Sequence, residues 1–464
     1  MALVPGYQIV KETRAVRFVP GETPALAIGV EYALVNTGTT ELNSIDVRLP
    51  SAQDSGRSDL HVEIGGRETS VAPVSSAEPD MVHIAFEKPW RRKQKLELSF
   101  KYTLRSPEDS QSYLTITPAS FHLGARGWAP QLQPPKGPLS SNPSRSAHML
   151  YSVRVPADFA LLASGRRRGA KKYGDEIEYH YEVGSADLGA FAVGGRFARW
   201  PASDGGNSVA FWTNEPLTGN PKKSAEQIQN IWKAFAGDFG VFDARIRQPR
   251  IIESAAVRYD LLGEAGPAAV SFPGGALVNP AAFVLGIDSD RFLEIVSEAL
   301  ASSWFDEEVR PSAEAAIGMG DGLPEYASIV ADEARNGPLA RRQRIYEYLR
   351  RYDAAVKLAN ETPIAATTAA SPLPQRRIAL AKAPLFYIEM EDACGDKQVR
   401  DGLAHMVRSM RRQEVDYNIL RSVLEESTGR DLGKIFREWL EQKGIPQNFR
   451  ARYPYGEGSK EMGN

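Results

Sequence analysis

The side chains that could do chemistry in this 464-residue chain are mostly carboxylates: 58 Asp and Glu stand against six His and one Cys. The histidines fall at His61, His83, His122, His148, His180 and His405, so residues 181–404 contain none. A cysteine nucleophile needs a base in reach. Cys394 has its nearest histidine, His405, 11 residues on, and no pattern brings the two together. Neither a Gly-x-Ser-x-Gly elbow nor a Walker phosphate loop occurs. The most informative stretch is Arg291 to Tyr326, RFLEIVSEALASSWFDEEVRPSAEAAIGMGDGLPEY. On a helix, residues i and i+4 project from one face, which places Glu298 and Ser302 together. With Asp321, Glu298 could offer a hard cation its carboxylate oxygens, although two carboxylates and a hydroxyl ordinarily line a solvated or ion-paired cleft. The helix itself reads as a core element, packing Phe292, Ile295, Val296, Ala299 and Leu300.

The elements that must position these residues follow from composition and period. Lys+Arg minus Asp+Glu is 56 − 58 = −2, with 42% apolar and 25% charged residues, so collagen-like, disordered and supercharged classes are excluded. One cysteine rules out a disulfide-stapled scaffold. Apolar runs such as Ala281 to Leu285 fall far short of the roughly 20 residues that span a bilayer, so no membrane span is expected. Tyr7 follows Met1 without a basic start or an apolar block. The expected location is therefore cytoplasmic, or periplasmic or secreted if the start is misassigned.

From residue 7 to about 200, short alternating runs such as Leu26–Leu34, Leu96–Tyr102 and Leu150–Val155 predict half-buried strands in a β-sandwich. Ala129 to Pro143, with five prolines, predicts an irregular surface connection. After Trp200 the period becomes helical. Ser224 suits an N-cap for a helix burying Ile228, Ile231, Trp232, Phe235 and Phe239. Asp431 suits the cap of Leu432 to Gln442, whose stripe is Ile435, Phe436, Trp439 and Leu440, closed by Gly444 and Pro446. Ala365 to Pro374 reads as a linker and Tyr453 to Asn464 as a polar tail. The basic clusters at 90–95, 166–172 and 341–344 read as solvated hairpin turns and helix faces, and with a net charge of −2 no nucleic-acid partner is expected.

The stretch 291–326 resembles the zinc-site region of the aminopeptidase-N-like zinc metallopeptidases, the gluzincins related to membrane alanyl aminopeptidase. There a His-Glu-x-x-His helix is followed by an aromatic pair, and a second helix supplies a Glu after 18 residues. Trp304-Phe305 sets the register, so that residues 303–320 are those 18. Asp321-Gly-Leu-Pro-Glu325-Tyr326 matches the second helix. Phe191-Ala-Val-Gly-Gly-Arg-Phe197 resembles the family's exit from its N-terminal β domain, and Asp431-Leu-x3-Phe436-x2-Trp439-Leu440 with Gly444-Ile-Pro446 resembles the end of its catalytic domain.

The resemblance implies an α+β chain: an N-terminal β-sandwich domain over 1–199, a mostly helical thermolysin-like (gluzincin) domain with a small sheet over 200–450, and a tail over 451–464. It also implies a peptide cleft between the domains, and it places this chain's residues on the family's roles. Glu298 and Ser302 take the two His ligand positions, Asp321 the third ligand and Ala299 the general base. Ser271 takes the position of the Glu that grips a substrate's amino terminus, and Leu380 that of the transition-state Tyr. A serine hydroxyl is a poor zinc donor beside imidazole, and Ala299 accepts no proton. Sliding the register by one puts Ala301 on a ligand position and loses Trp304. The expectation is therefore a catalytically inactive homologue without zinc, whose cleft, lined by Ser271, Glu298, Asp321 and Glu325, binds a peptide or protein segment. The alternatives are an active metallopeptidase with an unorthodox metal site at Glu298 and Asp321, and a regulator of a genuine peptidase. The oligomeric state is left open.

Overall fold

A computed structural model describes residues 4–75, 78–106, 114–124, 127–133, 140–141, 148–184, 190–201, 209–214, 216–241, 249–254, 269–272, 274–368, 370–411 and 413–454. The chain divides into two compact units, Met1–Ala198 with Ser254–Arg258, and Arg199–Glu253 with Tyr259–Asn464.

The first unit is a β-sandwich, as the alternating runs require. Its eight-stranded sheet has the order Arg166–Tyr173, Glu176–Gly184, His148–Pro156, Tyr7–Val19, Ala25–Asn36, Lys95–Leu104, Ser58–Ile64, Arg67–Glu68. Two four-stranded sheets share its core, with Ile45, Val47 and Ile84 from one and Leu114, Phe121 and Ala192 from the other. Phe18 stacks on Phe121 across that core, ring centroids 5.7 Å apart.

The proline-rich connection departs from expectation at its start. Trp128, Ala129 and Leu132 are buried, and Gln131–Leu132 pairs with Val47 and Arg48. The indole of Trp128 draws the segment inward, donating to the Ala190 carbonyl at 2.8 Å. Tyr102 and Tyr32 donate to the carbonyls of Trp128 and Pro130 at 2.6 Å each, which replaces the ladder partners that a Pro-rich strand lacks. Residues 134–139 and 142–147 lie outside the described set. The 166–172 cluster forms an edge strand rather than a turn.

The second unit has a five-stranded sheet of order Ala198–Pro201, Ala210–Thr213, Arg250–Glu253, Gly275–Val278, Ala269–Phe272. Its long helices are α1 (Pro221–Asp238), α2 (Asp290–Ser302), α3 (Gly322–Asn336), α4 (Pro338–Ala355), α5 (Leu373–Cys394), α6 (Asp396–Ser409) and α7 (Tyr417–Thr428). The stripe expected of α1 is the buried one, but its cap is Asn220, which accepts from the Lys223 amide at 3.1 Å. Ser224 lies a turn inside and donates to the Ile287 carbonyl at 2.6 Å. Two capping residues stood four apart, and Pro221 at the first helical position decides for the earlier one.

Three other boundaries shift. The helix after Asp431 starts at Gly433, whose amide donates to the Asp431 carboxylate at 2.8 Å, and from Arg437 to Glu441 it winds as a π-turn. The linker contains a 3-10 turn, Ile364–Ala366, and Pro374 already belongs to the first turn of α5. Tyr453 packs on Phe449, centroids 4.8 Å apart, and donates to Asp392 at 3.0 Å, so the last helix extends the core past the expected tail boundary. Residues 455–464 lie outside the described set. No described helix is long and apolar enough to cross a membrane.

Candidate functional site

The site is built where α2 ends and α3 begins. Ser289 caps α2 by accepting from the Phe292 amide at 3.2 Å, and the face carrying Phe292, Ile295, Val296, Ala299 and Leu300 is buried as expected. Past Ser302 the backbone loosens into a π-turn over Ser303–Glu308, with the Val309 amide bonding back to the Trp304 carbonyl at 3.2 Å. Such wide turns turn side chains away from α-helical register, and here they seat both aromatics. Trp304 meets Trp232 edge-on at 4.8 Å and donates to the Gly240 carbonyl at 2.8 Å, while Phe305 meets Phe239 at 4.9 Å.

A second π-turn, Ala316–Asp321, leads into α3. Gly318 is required within it: a Cβ there would stand 2.3 Å from the Tyr417 hydroxyl, and the Gly318 carbonyl accepts from Tyr387 at 2.8 Å. The π-turn leaves Asp321 at the head of α3 without a capping bond. Glu325 follows one turn later, on the same face.

The structure brings Glu298, Asp321 and Glu325 within electrostatic reach of one another. Desolvation raises all three carboxyls above their ordinary range. In Asp321, protein crowding and then the charges of Asp306 and Glu298 push the carboxyl up to about 7, against the opposing pull of Arg376, although the residue keeps a solvent-facing side. In Glu325, burial and then Glu298 push it well up, and its Oε2 is shut off from solvent with no hydrogen-bond partner. Glu298 is raised by burial and lowered in part by Arg344, Arg291 and Arg351.

Those arginines are committed elsewhere. Arg344 lies 2.9 Å from Glu294 and 3.0 Å from Glu347, and Arg351 lies 3.0 Å from Glu347 with its guanidinium 5.0 Å above the Tyr348 ring. Among the described residues, none of the three carboxyl groups makes a hydrogen bond or an ion pair.

The other expected site positions are accounted for in turn. Ser302 donates its hydroxyl to the Glu298 carbonyl oxygen at 3.2 Å. Ala299 is buried among core side chains, and Leu380 packs partly buried against the same core. Ser271 lies half-buried in the edge strand Ala269–Phe272, which packs beside α2. Among the described residues, no group of three or more His, Cys, Asp or Glu side chains converges closely enough to hold a metal ion. Two carboxyls and a hydroxyl turned to its own backbone do not fit a zinc ion, which takes three nitrogen, sulfur or carboxylate ligands and a water.

The 341–344 cluster is not a solvated helix face. Arg341 and Arg344 are buried, and Arg341 lies 2.7 Å from Glu391 and 3.0 Å from Glu333. Glu391, wholly enclosed, also accepts from the Tyr326 hydroxyl at 2.5 Å and from Arg400 at 2.8 Å. This network fixes α3 against α4, α5 and α6 behind the site. Sequence reasoning placed Arg344 on a solvated face and passed over Arg351; Glu347, three residues after the first and four before the second, was the available signal.

No protein-family model matches the sequence, and no curated protein matches it. Solved structures do. The M1 zinc metallopeptidase from Deinococcus radiodurans superposes with a TM-score of 0.66 at 15% identity, covering 95% of this chain and 95% of that one. A mutant of an M1 zinc metallopeptidase from the same organism, bound to a Tyr-Ser-Ala substrate, gives a TM-score of 0.65 at 16% identity over 95% and 96% of the two chains.

Proposed function

The chain has the two-domain fold of the M1 zinc metallopeptidases, and from that premise we propose that it is a non-catalytic protein that binds a peptide or protein segment on its helical unit. What carries this reading is at the end of α2: Ala299, which the resemblance puts at the general-base position, is buried, and Ser302, which it puts at the second ligand position, bonds to its own helix. A metallohydrolase needs a group that takes a proton from the metal-bound water, and an alanine methyl cannot. Leu380 likewise offers no donor to a developing oxyanion.

What supports ligand binding is the part that remains. Ala269–Phe272 lies at the end of its sheet. Val270 on it is 43% exposed. An extended peptide can add to such an edge through main-chain hydrogen bonds. The Tyr-Ser-Ala complex of the Deinococcus protein supports a short peptide as the ligand class. Ser271 in place of a carboxylate removes the charge that would select a free amino terminus.

Metal analysis after expression in zinc-supplemented medium, followed by assay with aminoacyl chromogenic substrates, tests the proposal. Substoichiometric zinc and no release are expected; one zinc per chain with turnover would overturn it. The three unpartnered carboxyls favour one competing reading, an active metallopeptidase using Glu298 and Asp321, for which Asp321→Ala would abolish any measured hydrolysis.

A further inference from the structure

We propose that the strand Arg166–Tyr173 of the first unit is a docking site for an acidic, extended polypeptide segment, taken up as an added strand; this does not depend on the reading of the helical unit. The strand lies at one end of the eight-stranded sheet. Five of its eight residues, Arg166, Arg167, Arg168, Lys171 and Lys172, are cations with exposed side chains. Among the described residues only Arg168 of the five is ion-paired, to Glu182. Other acids of the neighbouring strand are engaged elsewhere: Glu176 lies 2.5 Å from Arg154 and 3.2 Å from Arg17, and Glu178 lies 3.5 Å from His180. Arg167 sits 4.6 Å above the Tyr179 ring and Lys171 4.8 Å above that of Tyr173. Four cations thus stand side by side without an ion pair.

The register selects the kind of partner. Arg166 stands opposite Glu182 and Lys171 opposite Glu178, on one face of the sheet; Arg167 stands opposite the buried Tyr181 and Lys172 opposite Ile177, on the other. A nucleic acid laid across one face would meet only two of these four cations with its phosphates. A strand added at the edge sets its side chains alternately beside both pairs, while its main chain hydrogen-bonds to Arg166–Tyr173. The ladder to the neighbouring strand shifts once, at Arg168, and is regular from Gly169 to Tyr173. Opposite charges across a strand pair attract and like charges repel, so two copies of this strand oppose each other. Cations that bar neutral or basic strands from an edge admit an acidic one.

The test titrates the full chain at low ionic strength with a dye-labelled, capped peptide, Glu-Glu-Val-Val repeated once, which sets acids on both faces of an added strand, and with its glutamine twin. The acidic peptide is expected to bind at least about tenfold more tightly, the combined effect of several cross-strand charge pairs, and to weaken as salt is added. The double variants Arg166→Gln with Lys171→Gln, and Arg167→Gln with Lys172→Gln, should each lower its affinity severalfold. All four side chains are exposed, so folding is not at issue. An acidic peptide methylated on every backbone nitrogen keeps its charges and loses its donors, and should bind no better than the glutamine twin. Equal affinity for the glutamate and glutamine peptides, or undiminished binding of the methylated one, would overturn the proposal. Unchanged affinity in both double variants would place the peptide elsewhere and overturn it, as would no binding at about 1 mM peptide. Tighter binding of oligothymidylate than of the acidic peptide would make the strand a nucleic-acid surface instead.

Discussion

The hydroxyl of Ser302 donates to the carbonyl oxygen of Glu298, 3.2 Å away, across the last turn of α2. Glu298 carries a carboxyl raised first by burial, and Ser302 a hydroxyl that satisfies its own helix. A serine bonded back to the carbonyl of i−4 contributes little and can bend a helix slightly.

Ser302→Ala is accordingly expected to change stability by no more than about 0.5 kcal/mol, with no change in metal content. Urea unfolding checks the first and elemental analysis the second. A loss of bound metal in the variant would show that the hydroxyl is a ligand.

Asp321 makes stability depend on pH in a defined direction. Its carboxyl is raised to about 7, first by the protein crowded around it and then by Asp306 and Glu298, whereas an unfolded Asp titrates at about 4. Between those values the folded chain holds a proton that the unfolded chain has released, so this contribution is complete below about pH 4 and is lost as pH rises through about 7. Asp321→Asn removes the loss. With solvent screening at an exposed carboxyl, the variant should melt about 1–3 °C above the parent near pH 8 and level with it near pH 4. A variant that melts lower near pH 8 would contradict the assignment.

The arginine run on α4 separates by burial. Arg341 is enclosed between Glu391 and Glu333, and Arg342 is exposed. Arg341→Ala should cost about 3 kcal/mol because it strips a partner from a buried carboxylate, and Arg342→Ala no more than about 0.5 kcal/mol. Equal, small effects in denaturant unfolding would restore the solvated-face reading.

Tyr326→Phe should cost about 1–3 kcal/mol, since it removes a donor from the fully buried Glu391. Chemical denaturation of the two proteins decides it; an unchanged midpoint would mean that Arg341 and Arg400 alone satisfy that carboxylate.

These pairs also explain what could be read from the sequence. Trp304, Phe305 and Tyr326 were legible because large aromatics at fixed intervals have few environments that can hold them, and all three are buried. The loss of imidazole between residues 181 and 404 was legible by counting. Arg341 and Arg344 were not, because a basic run on a helix looks the same in solvent as against distant glutamates; Glu391 and Glu294 come from other helices. Trp128 was hidden by the prolines around it, although its own indole decides the burial of that segment. The electrostatic coupling of Asp321 to Glu298 joins residues separated in sequence by two π-turns, which carry no periodic signal.

The most direct measurement is the zinc content of the full-length protein purified from zinc-supplemented medium, read by elemental analysis alongside hydrolysis of aminoacyl substrates. With no histidine between residues 181 and 404, and with Ala299 and Ser302 as they stand, the expected result is far less than one zinc per chain and no turnover. One tightly held zinc per chain, lost together with peptidase activity in Asp321→Ala, would contradict it.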